Sequence, residues 1–195
     1  MVTAGAGGGL YTLGGGRTTF TGGSGYVTAN GGTGNGTITS GSGGGIFHAG
    51  SAGSSTVTAG SGAAYLYGTA NGDRLVASAI GGDTLTAGTG TETLTGASSA
   101  SGNRFVSGSG NDTMTGGPGA DMFVFMETFV TRTDIISGFN STLDKIDLSS
   151  YHGYGDSWAF SQQVTDGKGG SMFTMGDGLK VDVLGVAHIN QSSFC

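Results

Sequence analysis

Two aspartates nine residues apart, Asp112 and Asp121, form the clearest chemical pattern in the sequence. They lie in the stretch GSGNDTMTGGPGADMFVF (108–125), where each follows a run of glycines and stands two residues before a large apolar residue, Met114 or Phe123. Carboxylate oxygens and the carbonyl oxygens of turns are hard donors, which hard divalent cations prefer. The spacing therefore indicates a repeated turn that presents one carboxylate in each repeat.

The nine-residue pattern continues back through most of the chain. Its glycine-rich half predicts turns in which glycine supplies positive φ, and its apolar half predicts a three-residue strand with one side chain inward. The inward position falls at Tyr11, Phe20, Ala29, Ile38, Phe47, Val57, Leu66, Leu75, Leu85, Leu94, Phe105, Met114 and Phe123. Small insertions near Ala52, Ala79 and Ser99 keep this register. The thirteen repeats over residues 4–124 predict about six and a half stacked coils, roughly 30 Å long. A register sustained over so many repeats argues against a disordered glycine linker.

The composition excludes several classes of protein. The 195 residues include 44 glycines but also 10 phenylalanines and 6 tyrosines, which favours ordered glycine turns over a flexible chain. All 13 acidic residues lie at Asp73 or later, and Arg17 is the only charged side chain before that point. The sequence shows no basic patch for nucleic acid, no apolar run of ~18 residues for membrane insertion and no ordinary N-terminal signal peptide. The single cysteine, Cys195, excludes an internal disulfide framework.

The repeats resemble the calcium-binding nonapeptide G-G-x-G-x-D-x-U-x of RTX (repeats-in-toxin) proteins. The match is closest in SGSGNDTMT (107–115) and GGPGADMFV (116–124), and the segments 133–151 and 177–194 resemble the C-terminal domain that ends many RTX proteins. The resemblance implies an all-β fold, namely a parallel β-roll or β-solenoid of nonapeptide repeats with a C-terminal β-rich capping domain. It also implies a secreted, extracellular bacterial protein that a type I secretion system exports through an uncleaved C-terminal signal.

In RTX proteins the glycine-rich turns of successive coils hold Ca²⁺ between them, with the acid at the sixth repeat position as the charged ligand. Like turns stack two repeats apart, so the acids fall on two edges of the roll. The predicted metal-binding residues are Asp73, Glu92, Gly108, Gly110 and Asp112 on one edge, the Asp112 edge, and Asp83, Asn103, Gly117, Gly119 and Asp121 on the other, the Asp121 edge. Glu92 is one methylene longer than aspartate and Asn103 is neutral, which favours the later turns as sites. The alternative is that the acids are solvated turn residues, since aspartate favours turns.

The acids also divide the chain into three predicted regions. The first seven repeats have no carboxylate at the sixth position, so residues 1–72 are predicted to be charge-poor, metal-free repeats. Residues 73–125 are predicted to be calcium-type repeats. Residues 126–195 are predicted to form a C-terminal capping and secretion-signal region, because a stack of repeats needs a cap at its end.

The tail is expected to add a few β-strands and to close the open end of the roll with apolar side chains. The residues expected to close it are Phe123, Phe125, Phe139, Ile146, Leu148, Trp158 and Phe160. The acids Asp134, Asp144 and Asp147 are expected to cap turns and strand ends rather than to bind calcium.

No catalytic constellation is evident. His48 falls on an outward repeat position, His152 and His188 lie in the tail without ligand spacing, and Cys195 has no partner base in the sequence. RTX enzymes carry a separate catalytic domain before the repeats. The sequence therefore predicts a protein that is not an enzyme.

The outward positions of the predicted strands differ between the two faces. One face carries the threonine pairs Thr19/Thr21, Thr37/Thr39, Thr56/Thr58, Thr93/Thr95 and Thr113/Thr115. A regular threonine array resembles ice-binding solenoids, but threonine also simply suits exposed strands, and the interruption by Arg74 and Val76 favours the second explanation. The other face, with Leu10, Tyr65 and Tyr67, is more apolar and aromatic.

The front of the predicted roll also has few features that would block association. Residues 1–72 hold one charge and no proline, so the edge of the first coil is open to β-augmentation by a second copy. A contact between unlike ends propagates into a filament. The leading hypothesis is an extracellular, calcium-binding structural protein that assembles with itself into a fibre, biofilm matrix or surface layer, with cell-surface polysaccharide as a further partner. The alternatives are a C-terminal secretion and folding module of a larger RTX enzyme or adhesin, and an ice-binding solenoid.

Overall fold

The structure is a computed structural model that describes residues 1–96, 98, 100–153 and 155–195. The first eight strands are β1 (Val2–Thr3), β2 (Gly9–Thr12), β3 (Thr18–Thr21), β4 (Val27–Asn30), β5 (Gly36–Thr39), β6 (Gly45–His48), β7 (Thr56–Thr58) and β8 (Ala64–Tyr67). The next eight are β9 (Arg74–Val76), β10 (Thr84–Thr86), β11 (Thr93–Thr95), β12 (Arg104–Val106), β13 (Thr113–Thr115), β14 (Met122–Val124), β15 (Arg132–Ser137) and β16 (Lys145–Asp147). The tail adds helix α1 (Asp156–Ser161), strands β17 (Val164–Thr165), β18 (Ser171–Thr174) and β19 (Leu179–Val183), and a 3-10 turn at Gln191–Ser193. Among all the described residues, no helix is long and apolar enough to span a membrane.

Strands β1 to β16 alternate between two parallel sheets. The odd-numbered strands stack in sheet A and the even-numbered strands in sheet B, and each consecutive pair makes one coil, giving eight coils in the described residues. The predicted parallel β-roll is confirmed. It is longer than the six and a half coils expected over residues 4–124, because β1 precedes the first repeat and β15 and β16 continue the stack into the tail. The insertion expected near Ser99 lies outside the described residues.

The predicted inward positions fill the interior of the roll. Every one of them from Phe20 to Phe123 is fully buried, and only Tyr11, in the first coil, is partly exposed. Neighbouring coils place like positions in contact, so that the rings of Phe105 and Phe123 stack with their centroids 5.0 Å apart. Burying each large apolar side chain stabilises the fold by about 1.5–3 kcal/mol relative to leaving it in water. This interior column holds the coils in register.

The tail closes the C-terminal end of the roll. Strand β19 pairs with β15, and β18 and β17 then extend sheet A antiparallel. On sheet B the Cys195 N–H donates to the Ile146 carbonyl at 3.0 Å. Of the residues expected to close this end, Phe139, Ile146 and Leu148 are buried. Trp158 is 40% exposed, because it lies on helix α1, which the sequence did not predict and whose buried residue is Ala159.

The outward side chains line up in columns along the roll, because the coils stack without a shift. On sheet A, Thr19, Thr37 and Thr56 are direct neighbours, and Arg74 interrupts the column on β9. On sheet B, the Tyr67 ring stacks on His48 of the neighbouring strand with centroids 4.7 Å apart. The two faces therefore differ as expected, one mostly hydroxyl-bearing and the other partly aromatic.

The glycines of the calcium-type turns are required by close stacking of the coils. A Cβ on Gly110 would lie 1.7 Å from the Gly90 carbonyl oxygen of the coil before it, which is far inside van der Waals contact. Gly72 and Gly82 adopt the positive φ that the repeat pattern predicts for its turns, whereas Gly108, Gly110 and Gly119 do not. Glycine is needed there because another turn occupies the space of a side chain.

Substitution of Gly110 by alanine tests this reason. The added methyl must push two stacked turns apart, and overpacking of this kind costs about 1–3 kcal/mol or more. We expect Gly110→Ala to lower the thermal unfolding midpoint clearly, measured by circular dichroism with calcium present. Gly14→Ala is the matched control, since a Cβ there meets nothing within 4 Å; equal midpoints for the two variants would contradict the close-stacking explanation.

Candidate metal centre

The acids at the sixth repeat position point into the roll. In a strand, side chains alternate between faces, so a residue two positions before the inward apolar residue also faces inward. Asp112 and Asp121, which precede Met114 and Phe123 in this way, are only 1% and 2% exposed. The alternative of solvated turn residues is therefore wrong for both acids.

Each of these carboxylates joins two coils. Asp112 Oδ1 accepts the Glu92 N–H of the preceding coil at 3.0 Å, and its Oδ2 accepts the Gly108 N–H of its own turn at 2.8 Å. Asp121 does the same with the N–H groups of Asn103, at 2.7 Å, and Gly117, at 2.6 Å. Hydrogen bonds to a charged group contribute about 1.5–3 kcal/mol each. The acids therefore pair backbone donors that face the closed interior of the roll.

The earlier acids follow the same arrangement. Asp73 accepts the Ser55 N–H at 2.7 Å and the Thr69 N–H of its own turn at 2.9 Å. On the opposite edge, Asp83 accepts the Ala64 N–H at 2.8 Å and a second N–H from its own turn. The structure thus places Asp73, Glu92 and Asp112 along one edge and Asp83, Asn103 and Asp121 along the other.

Two tail acids extend these edges beyond the predicted repeats. Asp134 accepts the Asp112 N–H and Asp144 accepts the Asp121 N–H, both at 2.8 Å. Asp144 also caps its own turn by accepting the Asn140 N–H at 2.8 Å, as expected. The expectation did not include its second hydrogen bond, which joins it to the preceding coil. The sequence did contain a signal: each acid stands two residues before a buried isoleucine, Ile136 or Ile146, as in the repeats.

Glu92 departs from the pattern. Glu92 is 1% exposed, and neither carboxylate oxygen makes a hydrogen bond of good geometry among the described residues, although the Asp112 carboxyl and the Gly90 backbone lie close enough to affect its pKa. The extra methylene carries the carboxylate towards the preceding turn, where it lies against Gly68. A buried, unpartnered carboxylate is costly unless a cation or a proton balances it.

Burial governs the electrostatics of the Asp112 edge. Burial, followed by the neighbouring Asp112 carboxyl, raises the pKa of Glu92 to about 8. Burial also raises the pKa of Asp134 to about 7, although the Asp112 N–H and the Arg132 guanidinium act in the opposite direction. On the Asp121 edge, burial raises the pKa of Asp144. Adjacent strands lie ~4.8 Å apart, and two unit charges at that separation repel by roughly 3 kcal/mol at an effective dielectric constant of ~20.

The donors at these turns fit calcium. Among the described residues, no three acidic, histidine or cysteine side chains converge on one point, so carbonyl oxygens of the turns have to complete any metal shell. Calcium takes six to eight oxygen ligands of mixed carboxylate and carbonyl type, and a carboxylate oxygen that accepts one N–H, as each Asp112 and Asp121 oxygen does, keeps a further lone pair. The two Glu92 carboxylate oxygens, which accept no hydrogen bond from the described residues, are available as ligands for a metal ion.

The front half offers a different set of groups at the same position. Val27 and Ala64 fill it with apolar side chains. Ser55 Oγ accepts the N–H groups of Gly36 and Gly50 at 3.2 and 3.3 Å, which is a neutral version of the two bonds that the aspartates make. This uncharged arrangement needs no cation to balance it.

Parallel stacked coils, closely packed glycine turns and inward carboxylates define a β-roll of the RTX type. Residues 21–193 match the family described as Peptidase M10 serralysin C terminal, and the chain belongs to this family. It is accordingly a calcium-binding β-roll. In the protease family, this β-roll is the non-catalytic C-terminal domain. No curated protein matches the chain.

The raised pKa values predict how pH affects the metal-free fold. Carboxyl groups with a higher pKa in the folded chain than in the unfolded chain favour folding when protonated. Their contribution is complete below the unfolded pKa of about 4 and is lost as the pH rises through about 7 for Asp134 and about 8 for Glu92. We expect the thermal midpoint of the metal-free chain to fall between about pH 4 and about pH 8 and to level off above that, followed by circular dichroism.

Glu92→Gln provides the control, because it removes one of these titrating groups and keeps the size of the side chain. Between about pH 5 and pH 8 the stability of this variant should fall less steeply than that of the unaltered chain, by up to roughly 1.4 kcal/mol per pH unit. Burial lowers the pKa of the half-buried His48, which makes stability rise with pH below about 6.5, but it does so equally in both proteins and leaves their difference unchanged. A midpoint that rises with pH in this window would show that the carboxyl groups are not destabilising when charged.

Proposed function

We propose that the chain is a calcium-dependent folding module of a protein exported by type I secretion. The observation that carries the proposal is the set of buried carboxylates on the two edges; neighbouring ones, such as Glu92 and Asp112, repel one another unless cations lie between the turns. Extracellular calcium modules bind at roughly 10⁻⁴–10⁻³ M, concentrations found outside cells and not in the cytosol. The chain then stays unfolded during export and folds outside, where calcium is abundant.

The residues that would hold calcium are those of the two edges. On the Asp112 edge, Asp73, Glu92 and Asp112 supply carboxylate oxygens, and on the Asp121 edge, Asp83 and Asp121 do so. Calcium supplies the positive charge that balances them. The stack is cooperative, because each coil gains its hydrogen bonds and apolar contacts only from its neighbours.

A calcium titration of the full chain tests the proposal. After chelation at about pH 8, where the charged carboxyl groups destabilise the metal-free chain most, we expect circular dichroism to show loss of β-structure, with recovery at about millimolar calcium. The double variant Asp112→Ala, Asp121→Ala removes one carboxylate from each edge and should shift the titration midpoint at least ~10-fold, since calcium affinity follows the number of charged ligands.

The variant Asp147→Ala, Asp156→Ala is the matched control. It removes the same charge from two acids outside the edges, and its calcium titration should coincide with that of the unaltered chain. If the Asp112, Asp121 variant also coincides with the unaltered chain, calcium binds elsewhere and the proposed sites are wrong.

We also propose that the roll associates with a second copy through the end formed by β1 and β2, in an extracellular structural role. Both strands pair on one side only in the described residues, and Leu10 on β2 is 71% exposed. The tail covers the opposite end of sheet B, which favours pairing of two like ends over a head-to-tail filament. A fibre would need a second contact, for which the partly exposed Tyr65 and Tyr67 of sheet B offer an aromatic surface.

Lysines at the open end test this association. The variant Thr12→Lys, Thr21→Lys places like charges on neighbouring coils of the junction and should convert associated protein to monomer, measured by sedimentation with calcium at high micromolar concentration. The control Thr93→Lys, Thr95→Lys adds the same charge in the middle of sheet A and should still associate. A monomeric unaltered chain under these conditions would rule out self-association and leave the folding module alone.

A further inference from the structure

Arg132 is a buried cation at the last turn of the Asp112 edge. It is the first residue of β15, and its side chain is 1% exposed. The preceding repeats have a short glycine-rich turn at this place, whereas the chain makes a longer connection from β14 to β15 without that pattern. The arginine therefore lies where the regular turn sequence stops but the column of carboxylates continues.

The guanidinium is surrounded by oxygen atoms of three kinds. Nη2 donates to the Met126 carbonyl at 3.0 Å, and Nη1 lies 3.5 Å from the Val130 carbonyl and donates to Thr128 Oγ1. Nε lies 3.4 Å from Asp134 Oδ2, and Nη1 lies 3.7 Å from Asp177 Oδ2. Two carboxylates, two turn carbonyls and one hydroxyl make a set of hard donors of the type that calcium takes in proteins.

The carboxylates of this set are held in place by other groups. Asp134 Oδ1 accepts the Asp112 N–H, so the charge that Arg132 balances belongs to the acid column. Asp177 Oδ2 accepts the Tyr151 hydroxyl at 3.0 Å, and its Oδ1 accepts the Leu179 N–H at the start of β19 at 3.0 Å. One cation thus ties the acid column to the strand that caps sheet A.

We propose that Arg132 is the resident cation of the last turn on the Asp112 edge, occupying with its guanidinium the place that calcium takes in the turns before it. This inference rests on the proposed calcium-dependent folding. It assigns the last turn to the metal-independent part of the fold and makes the β15–β19 junction the surface on which the coils stack. The Asp121 edge has no counterpart, since its last turn, residues 138–144, contains no arginine or lysine.

The decisive variant is Arg132→Ala. The substitution removes the guanidinium and leaves two buried carboxylates and three further oxygen donors. Calcium should therefore bind at the position that the guanidinium occupied. Counting bound calcium by equilibrium dialysis after chelation, we expect one more ion per chain than in the unaltered protein. The thermal midpoint should fall in chelator and recover with calcium, whereas Arg132→Lys, which keeps a cation, should bind the same number of ions as the unaltered chain.

Arg104→Ala is the matched control, because Arg104 is an exposed, outward residue on β12 and its loss changes the net charge equally. It should bind as much calcium as the unaltered chain. The inference is overturned if Arg132→Ala gains no calcium and shows the same loss of stability with and without calcium. If the unaltered chain binds no calcium but Arg132→Ala binds one ion, Arg132 is still the cation of this turn, but the proposed folding module and the equivalence with the turns before it fail.

A measurement on the unaltered chain covers the case in which Arg132→Ala does not fold. In chelator, amide hydrogen exchange in β15 and β19 should be slower than in β10 to β14 by at least about tenfold, since local stability differs between parts of a stack. Equal exchange rates in the two regions would show that the arginine does not preform this end, and would overturn the inference.

Discussion

Closing a short coil leaves backbone N–H groups facing the interior of the roll, and these donors need acceptors that the neighbouring strands do not supply. Buried donors without partners cost about 1–3 kcal/mol each. Asp112 and Asp121 meet this need, each bonding one N–H of its own turn and one of the preceding coil. The same solution stacks like charges at one strand spacing, so the groups that complete the backbone bonding also repel one another.

The chain resolves this conflict differently along its length. The front half avoids charge, using Ser55 Oγ as a neutral acceptor and apolar side chains elsewhere. The middle coils keep the carboxylates and require protons or divalent cations, most evidently at Glu92, whose oxygens lack partners. The last turn of the Asp112 edge has Arg132 beside Asp134. We therefore expect dependence on calcium to be concentrated in the coils between these two regions.

This distribution makes the C-terminal end of the roll the part that depends least on a metal ion. The C-terminal end has antiparallel strands, the bond from Cys195 to Ile146 and the Arg132 network, all available without a metal ion. Coils before it gain stability only by stacking on a neighbour that is already ordered. The calcium-dependent folding that we propose would suit export in an unfolded state, because calcium is abundant outside the cell.

The inward register and the two acidic edges could be predicted from the sequence, because both depend on short-range alternation: side chains at Leu85 or Phe105 face inward by strand geometry, and alternate turns fall on opposite edges. Contacts between coils could not be predicted in this way. Gly110 is required by the carbonyl of another turn rather than by its own backbone angles. Two further features arise only when the coils stack: the burial of the Glu92 carboxylate and the contact of Arg132 with Asp177, 45 residues further along the chain. Sequence spacing could not predict them, because it does not determine the distance between turns.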